Sequence, residues 1–147
     1  MYLTEAPVAS PRPTPAEVAY VSPGQQALLA LPATAACVPV ARRWAAVLLN
    51  YWGVLPDGED SALLVIDELA ANAALHGRAD MTLLLCLDGR TLRITVADSG
   101  APASRVRDGT DAEDYGRGCE LVRLLSERMA VQRTAQGWVV QAEVHCW

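Results

Sequence analysis

The 147-residue sequence contains no Phe and no Lys, and only 5% of its residues are aromatic. Hydrophobic residues nevertheless make up 52% of the chain, so a core in a single domain of this length has to be built from Leu, Val, Ile and Ala. All 12 basic residues are Arg, and the formal net charge is −5. This balance argues against a nucleic-acid binder that depends on a general positive field.

Paired cysteine motifs are also missing from the chain. Zinc binding by His76, His145 and cysteines is a remaining alternative, although these residues fall on separate predicted elements. The absence of any Cys-x-x-Cys pair argues against a structural zinc site and against a disulfide framework. The four scattered cysteines are Cys37, Cys86, Cys119 and Cys146.

No long apolar run is visible in the sequence. The uncharged stretch 18–41 is interrupted by proline and glycine, so we expect no membrane span. No basic region precedes an apolar stretch at the N-terminus, so we expect no signal peptide. A cytoplasmic protein is therefore predicted.

Proline and glycine are absent from Ser61–His76, which consists mostly of good helix formers. Glu68, Asn72 and His76 are spaced four residues apart and form one stripe on the predicted helix. Apolar residues surround this stripe on nearly every side, which predicts a buried helix. A buried carboxylate and amide are costly without partners, and the helix contains no Lys or Arg. The stripe therefore predicts a bound ion or ligand; the alternative is an Asn hydrogen-bonded in the core and a Glu that reaches solvent.

The N-terminal part of the chain differs in composition from the rest. Residues 1–22 carry four prolines and few large apolar residues, which predicts a disordered or loosely held tail before a domain spanning 23–147. The domain is predicted to begin with a strand at Gln25–Leu31. A helix capped by Thr34 should follow and run to about Tyr51.

Two predicted strands follow the central helix. Met81–Leu87 is almost continuously apolar, and Asp88-Gly89 is a strong hairpin signal. In the next strand, Thr91–Asp98, apolar and polar residues alternate. Asp98 has the parity of the apolar residues, so its carboxylate is predicted to point inward.

The last third of the chain contains a long loop and a glycine pair. Ser99–Tyr115 is polar and without periodicity, which is typical of a functional or mobile loop. Gly116-Arg117-Gly118 then precedes a predicted helix at Cys119–Arg128, and the amides at such a helix start form a natural phosphate site. Met129–Arg133 and Trp138–His145 are predicted to form a final hairpin.

Three motifs in this order resemble the boxes of the nucleotide-binding domain of the GHKL superfamily, shared by gyrase, heat-shock chaperones, histidine kinases and mismatch-repair ATPases. Glu68-x-x-x-Asn72-Ala73 is similar to the N box, and Asp98-Ser99-Gly100 and Gly116-Arg117-Gly118 are similar to the two glycine boxes. The resemblance covers about residues 25–145. The ending His76-Gly77, the run from Gly116 to Val122, the small size and the Lys-free composition resemble anti-sigma-factor serine kinases and the short ATP-binding regulators of GC-rich bacteria.

The resemblance implies a histidine kinase-like ATPase fold. We expect an α+β two-layer sandwich, with a mixed, mainly antiparallel sheet of about five strands and three helices on one face. Residues 99–115 would form the lid over the nucleotide. The lid should be the most mobile internal segment in the absence of nucleotide.

The resemblance also implies ATP and Mg²⁺ as cofactors and a role for each matched residue. Asn72 would ligate Mg²⁺ through its side-chain oxygen, and Glu68 would act as the general base. Asp98 would accept a hydrogen bond from the adenine amino group. The remaining residues expected at the nucleotide are His76, Gly100, Gly116, Arg117 and Gly118, with Gly100 beside the base and the last three at the phosphates.

The implied function is transfer of the ATP γ-phosphoryl group to a small anti-anti-sigma-type protein by a serine/threonine kinase that also holds a sigma factor. The alternative is a non-catalytic, nucleotide-responsive module that sequesters a regulatory partner. Gly137-Trp138-Val139 favours the module, because many relatives carry a hydroxyl residue there. Partners should include a second copy of the chain or a regulatory protein, bound near Arg42 and Arg43, and neither nucleic acid nor membrane is expected.

Overall fold

The computed structural model describes residues 18–22, 24–76, 79–99 and 119–147. The described elements, in chain order, are β1 (Val18–Ser22), β2 (Gln26–Pro32), a 3-10 turn (Ala35–Cys37), α1 (Val38–Tyr51), α2 (Pro56–His76), β3 (Asp80–Asp88), β4 (Thr91–Asp98), α3 (Glu120–Leu125), β5 (Arg128–Arg133) and β6 (Trp138–His145).

The strands form one sheet in the order β1-β2-β3-β4-β6-β5, and all pairings between these six strands are antiparallel. The predicted two-layer α+β fold with a mainly antiparallel sheet and three helices is confirmed. The sheet has one strand more than expected, because residues 18–22, assigned from the sequence to the tail, pair with β2 as an edge strand. Residues 1–17 lie outside the described part of the chain.

Side chains alternate between a buried face and a more exposed face of the sheet. On β4, for example, Ile94 and Val96 are buried, whereas Thr95 between them is half-buried and Arg93 is exposed. α2 contacts β3, β4 and β6, and α1 packs along α2. The helices therefore cover one face, as predicted, and the apolar core lies between them and the inner face of the sheet.

The first helix packs against α2 and buries one face. Ala41, Ala45 and Leu49 are spaced four residues apart and are all buried. Proline lies in the first turn of α1, where a missing N–H costs nothing. The prediction that Thr34 caps this helix is wrong. Thr34 precedes the 3-10 turn instead, and its side chain makes no cap hydrogen bond.

α2 is longer and less buried than the sequence predicts. It begins at Pro56 instead of Ser61. The prediction of burial on nearly every side is wrong for Leu64 and Leu75, which are 44% and 77% exposed. These residues face away from the sheet, because the helical layer is one helix thick.

The third helix is shorter than predicted. The sequence suggests a helix over Cys119–Arg128, but α3 ends at Leu125 and Ser126 is already extended. The N–H of Glu127 donates to the backbone oxygen of Glu143 at 2.8 Å. Pairing with β6 thus overrides the local helical pattern. Among the described residues, no helix is long and apolar enough to cross a membrane.

Candidate functional site

The predicted site residues that the structure describes lie toward one end of the strands β4 and β6. β4 ends there at Asp98, and β6 begins beside it at Trp138. The last turn of α2 reaches the same end of these strands. Three residues after His76, the N–H of Ala79 donates to the backbone oxygen of Ser99 at 3.1 Å.

Asn72 lies on α2 and is half-buried. Its Nδ2 donates a hydrogen bond to the Sγ of Cys119, directly before α3, at 2.9 Å. Among the described residues, Oδ1 of Asn72 accepts no hydrogen bond. The donor end of the amide is therefore engaged, and its acceptor end is available to a cation.

Glu68 lies one helical turn before Asn72 and is also half-buried. Within the described part of the chain, its carboxylate makes no hydrogen bond or ion pair. It lies close enough to Cys119 to act on the thiol. Burial raises the pKa of Cys119, the hydrogen bond from Asn72 opposes this, Glu68 raises the pKa further and Arg123 lowers it. Glu68, Asn72 and Cys119 thus form one cluster.

Asp98 is the only buried charged residue among those the structure describes, with 5% of its surface exposed. The predicted inward direction of this carboxylate is confirmed. Its Oδ1 accepts a hydrogen bond from the backbone N–H of Trp138 at 3.1 Å. Hydrogen bonding of this kind is what makes a buried carboxylate tolerable.

The turn before β6 fits closely against Asp98. A Cβ at Gly137 would lie 2.3 Å from the backbone oxygen of Asp98 and 2.6 Å from Oδ1, so only glycine fits there without a shift of the backbone. Thr134 closes the turn: its Oγ1 accepts from the N–H of Gly137 at 3.2 Å and donates to the oxygen of Gly137 at 3.0 Å. The sequence located this turn but carried no sign of its contact with Asp98.

Trp138 is 8% exposed and lies on the inner face of the sheet, with the parity of the buried Val140. Val140 pairs with Val96, so Trp138 is the neighbour of Asp98 across the strands. The guanidinium carbon of Arg133 lies 5.6 Å from the centre of the Trp138 ring, within range of a cation–π interaction. The buried indole ring of Trp138 therefore lies beside the carboxylate of Asp98.

Of the remaining predicted site residues, only His76 lies in the described part of the chain. His76 is exposed in the last turn of α2. Gly100, Gly116, Arg117 and Gly118 lie outside the described residues, as does the predicted mobile lid apart from Ser99. Their roles stay predictions. Cys119 was missed as a partner of Asn72, since its only sequence signal was its place after the glycine pair.

The oxygen atoms of Glu68 and Asn72 suit Mg²⁺, which is a hard cation. In the described ranges, no group of three or more His, Cys, Asp or Glu side chains is placed to hold a metal ion. Mg²⁺ needs no such cage, because it keeps several waters and takes its other ligands from one or two side-chain oxygens and from phosphates. The free Oδ1 of Asn72 fits that mode of binding.

The two-layer α+β fold is consistent with a class of ATP-binding domain, the histidine kinase-like ATPase domain, and a family comparison agrees. The model of the histidine kinase-like ATPase domain matches residues 31–144. The chain therefore belongs to the histidine kinase-like ATPase (GHKL-type) family, and the predicted superfamily is confirmed. Domains of this family bind ATP, usually with Mg²⁺, which supports an ATP-binding regulatory function. A search of curated proteins found no match.

Proposed function

We propose that the chain is a serine/threonine protein kinase of the anti-sigma-factor type, which transfers the ATP γ-phosphoryl group to a small anti-anti-sigma-type protein. The observation that carries the proposal is the Glu68 carboxylate. It lies one turn from Asn72 and has no ion-pair partner in the described part of the chain. A protein that only binds nucleotide has no need of a carboxylate there.

In this mechanism the chain positions the reactants and moves one proton. Asn72 holds Mg²⁺ through Oδ1, and Asp98 accepts a hydrogen bond from the adenine amino group. Glu68 accepts the proton of the attacking serine or threonine hydroxyl at its carboxylate. Neutralisation of the phosphate charge, which Mg²⁺ held by Asn72 would supply, accounts together with positioning for most of the catalysis in phosphoryl transfer. The phosphates are expected to bind the amides of residues 116–118, which lie outside the described part of the chain.

The two ends of the cluster can be tested separately. Glu68→Gln keeps the shape of the side chain but removes the base, so Mg-ATP binding should persist while phosphate transfer falls by ~10²–10⁴-fold. Asn72→Ala removes the Mg²⁺ ligand, so nucleotide binding in the presence of Mg²⁺ should weaken. Calorimetry measures binding, and incorporation of labelled phosphate into anti-anti-sigma-type proteins encoded beside this gene measures transfer. A Glu68→Gln protein that transfers phosphate at the wild-type rate would refute the assignment of Glu68 as base.

The second function, a nucleotide-responsive binding module without kinase activity, is favoured by a different observation. The backbone N–H of Trp138 already occupies Oδ1 of Asp98, and no hydroxyl residue stands at 137–139 to assist recognition of the base. On this alternative, Glu68→Gln changes neither nucleotide affinity nor release of the partner, because no proton is moved. The same pair of assays therefore separates the two functions.

The partner surface we propose is the outer side of α1. Arg43 lines an open groove of about 670 Å³ together with Val40, Trp44, Val47, Leu48 and Tyr51. Val47 and Tyr51 are 72% and 82% exposed, which leaves this side of the helix apolar with one cation. Such a surface suits a regulatory protein that presents apolar and acidic side chains, such as an anti-anti-sigma-type protein or a sigma factor.

The two arginines of α1 are not equivalent, which sharpens the test. Nε of Arg42 lies 3.5 Å from Oδ2 of Asp67 on α2, so a change at Arg42 also disturbs contact within the chain. Arg43→Glu is therefore the informative variant, and it should weaken partner binding while leaving ATP affinity unchanged. Loss of both would indicate misfolding and remove support for this surface. If the molecular mass of the wild-type protein in solution increases with concentration and Arg43→Glu reduces this increase, the partner bound at this surface is instead a second copy of the chain.

A further inference from the structure

We propose that Cys119 is a positioning residue for the metal ligand: its sulfur fixes the Asn72 amide so that Oδ1, not Nδ2, faces the cation. The inference rests on the proposed role of Asn72 as Mg²⁺ ligand. It assigns a role to a residue whose only sequence signal is its place after the glycine pair.

The argument begins with the two ends of an asparagine side chain. One end of the amide accepts hydrogen bonds and the other donates them, and a half-turn about the last bond exchanges them. Only the accepting end can bind a cation. A free amide would present its NH₂ group part of the time, and Mg²⁺ binding would then have to select the correct orientation.

The contact with Cys119 selects that orientation in advance. Nδ2 of Asn72 lies 2.9 Å from Sγ and donates to it, which turns Oδ1 away from the sulfur. The opposite arrangement, with the thiol donating to Oδ1, would consume the acceptor that the cation needs. Within the described residues Oδ1 accepts no hydrogen bond, so this acceptor stays available to the cation.

Cys119 is well placed to act as an anchor. Its residue surface is 0% exposed, so packing holds the sulfur in place. Its backbone oxygen accepts the N–H of Arg123 at 3.0 Å, which ties it to the first turn of α3. Since Asn72 belongs to α2, the contact also sets the amide relative to the start of α3.

The test measures how strongly Mg²⁺ improves nucleotide binding. Affinity for ADP is determined by calorimetry with Mg²⁺ and with EDTA, and the ratio of the two affinities is compared between variants. Cys119→Ala removes the acceptor and should lower the ratio by about tenfold, as is typical when a residue that orients a metal ligand is lost. Cys119→Ser restores an acceptor and should recover most of the ratio, whereas binding in EDTA should be similar in all three proteins.

Two further variants, Cys119→Val and Asn72→Ala, distinguish a positioning role of Cys119 from a packing role and from the absence of a Mg²⁺ site. Cys119→Val fills the volume without an acceptor, so it should behave like Cys119→Ala even if the alanine variant is destabilised by a cavity. An unchanged ratio in both variants, or an equal loss in Cys119→Ser, would overturn the positioning role and leave Cys119 as a packing residue. If instead the wild-type ratio is near one, or Asn72→Ala leaves it unchanged, the proposed Mg²⁺ site itself is refuted.

Discussion

Replacing Gly137 by alanine tests whether the turn before β6 holds Asp98 in place. The added Cβ would lie 2.3 Å from the backbone oxygen of Asp98 and 2.6 Å from its Oδ1. Because non-bonded heavy atoms are comfortable only beyond about 3.5 Å, one of the two strands has to move by about 1 Å. That movement acts on the hydrogen bond from the N–H of Trp138 to Asp98.

The expected cost follows from these two effects, in addition to a backbone penalty because Gly137 has a φ of +156°. Overpacking of this kind typically costs about 1–3 kcal/mol, and a hydrogen bond to a charged group contributes about 1.5–3 kcal/mol. The two are not additive, since the shift that relieves the clash is what weakens the bond. We therefore expect Gly137→Ala to lower the free energy of unfolding by about 3 kcal/mol, and to weaken nucleotide binding as Asp98 is displaced.

Gly53 supplies the matched control. It has a φ of +77°, and apart from its chain neighbours no atom of the described residues lies within 4 Å of a Cβ built on it, so Gly53→Ala carries only the backbone penalty of about 1 kcal/mol. Urea unfolding followed by circular dichroism compares the two variants, and calorimetry compares their affinity for nucleotide. If Gly137→Ala costs no more than Gly53→Ala, or leaves nucleotide affinity unchanged, the contact does not constrain Asp98 and the argument fails.

The remaining predictions concern a buried thiol and a surface arginine. Burial raises the pKa of the Cys146 thiol above the ordinary 9.0, partly opposed by a backbone hydrogen bond from Leu92, so the folded protein keeps this proton to higher pH than the unfolded chain. The stability contribution of Cys146 is therefore complete below pH 9.0 and is lost as the pH rises through the folded pKa. Thermal unfolding at increasing pH should show that the melting temperature declines less in Cys146→Ala than in wild type. An equal decline in the two proteins would contradict the reasoning. Arg133→Gln removes the cation over the Trp138 ring and should cost about 0.5–1 kcal/mol in urea unfolding. Arg128→Gln on the same strand, for which no ring contact is seen in the described residues, should cost less, and equal costs would argue against the cation–π contribution.

The strands that frame Asp98 could be predicted because their signals are local. Alternation over Thr91–Asp98 predicts both the bounds of β4 and the inward direction of Asp98, and the final hairpin signal predicts the bounds of β6. The helical pattern misled where tertiary pairing competes with it, since residues after Leu125 join the sheet. The proline-rich composition upstream likewise hid the short edge strand β1.

The contacts within the site could not be predicted, because they join residues that are far apart in the chain. Asn72 and Cys119 are separated by 47 positions, and Asp98 and Trp138 by 40. Neither pair has a spacing or composition signal; each is a consequence of how α2, α3 and the strands are packed. The sequence thus named Asn72 and Asp98 as residues in need of partners, but not the partners.

The place of Asp98 at the end of an interior strand bears on how the site responds to a ligand. β4 is bonded on both sides, to β3 and to β6, and its carboxylate is tied to the second of these neighbours. Amide hydrogens in such a strand exchange only by large-scale opening, so Asp98 is held in a pre-organised position. If Asp98 binds the base, as proposed, this end of the site loses little conformational entropy when it is filled. On the same proposal, adaptation to different nucleotides comes from the end of the site near Cys119, whose hydrogen bond from Asn72 links α2 to the start of α3.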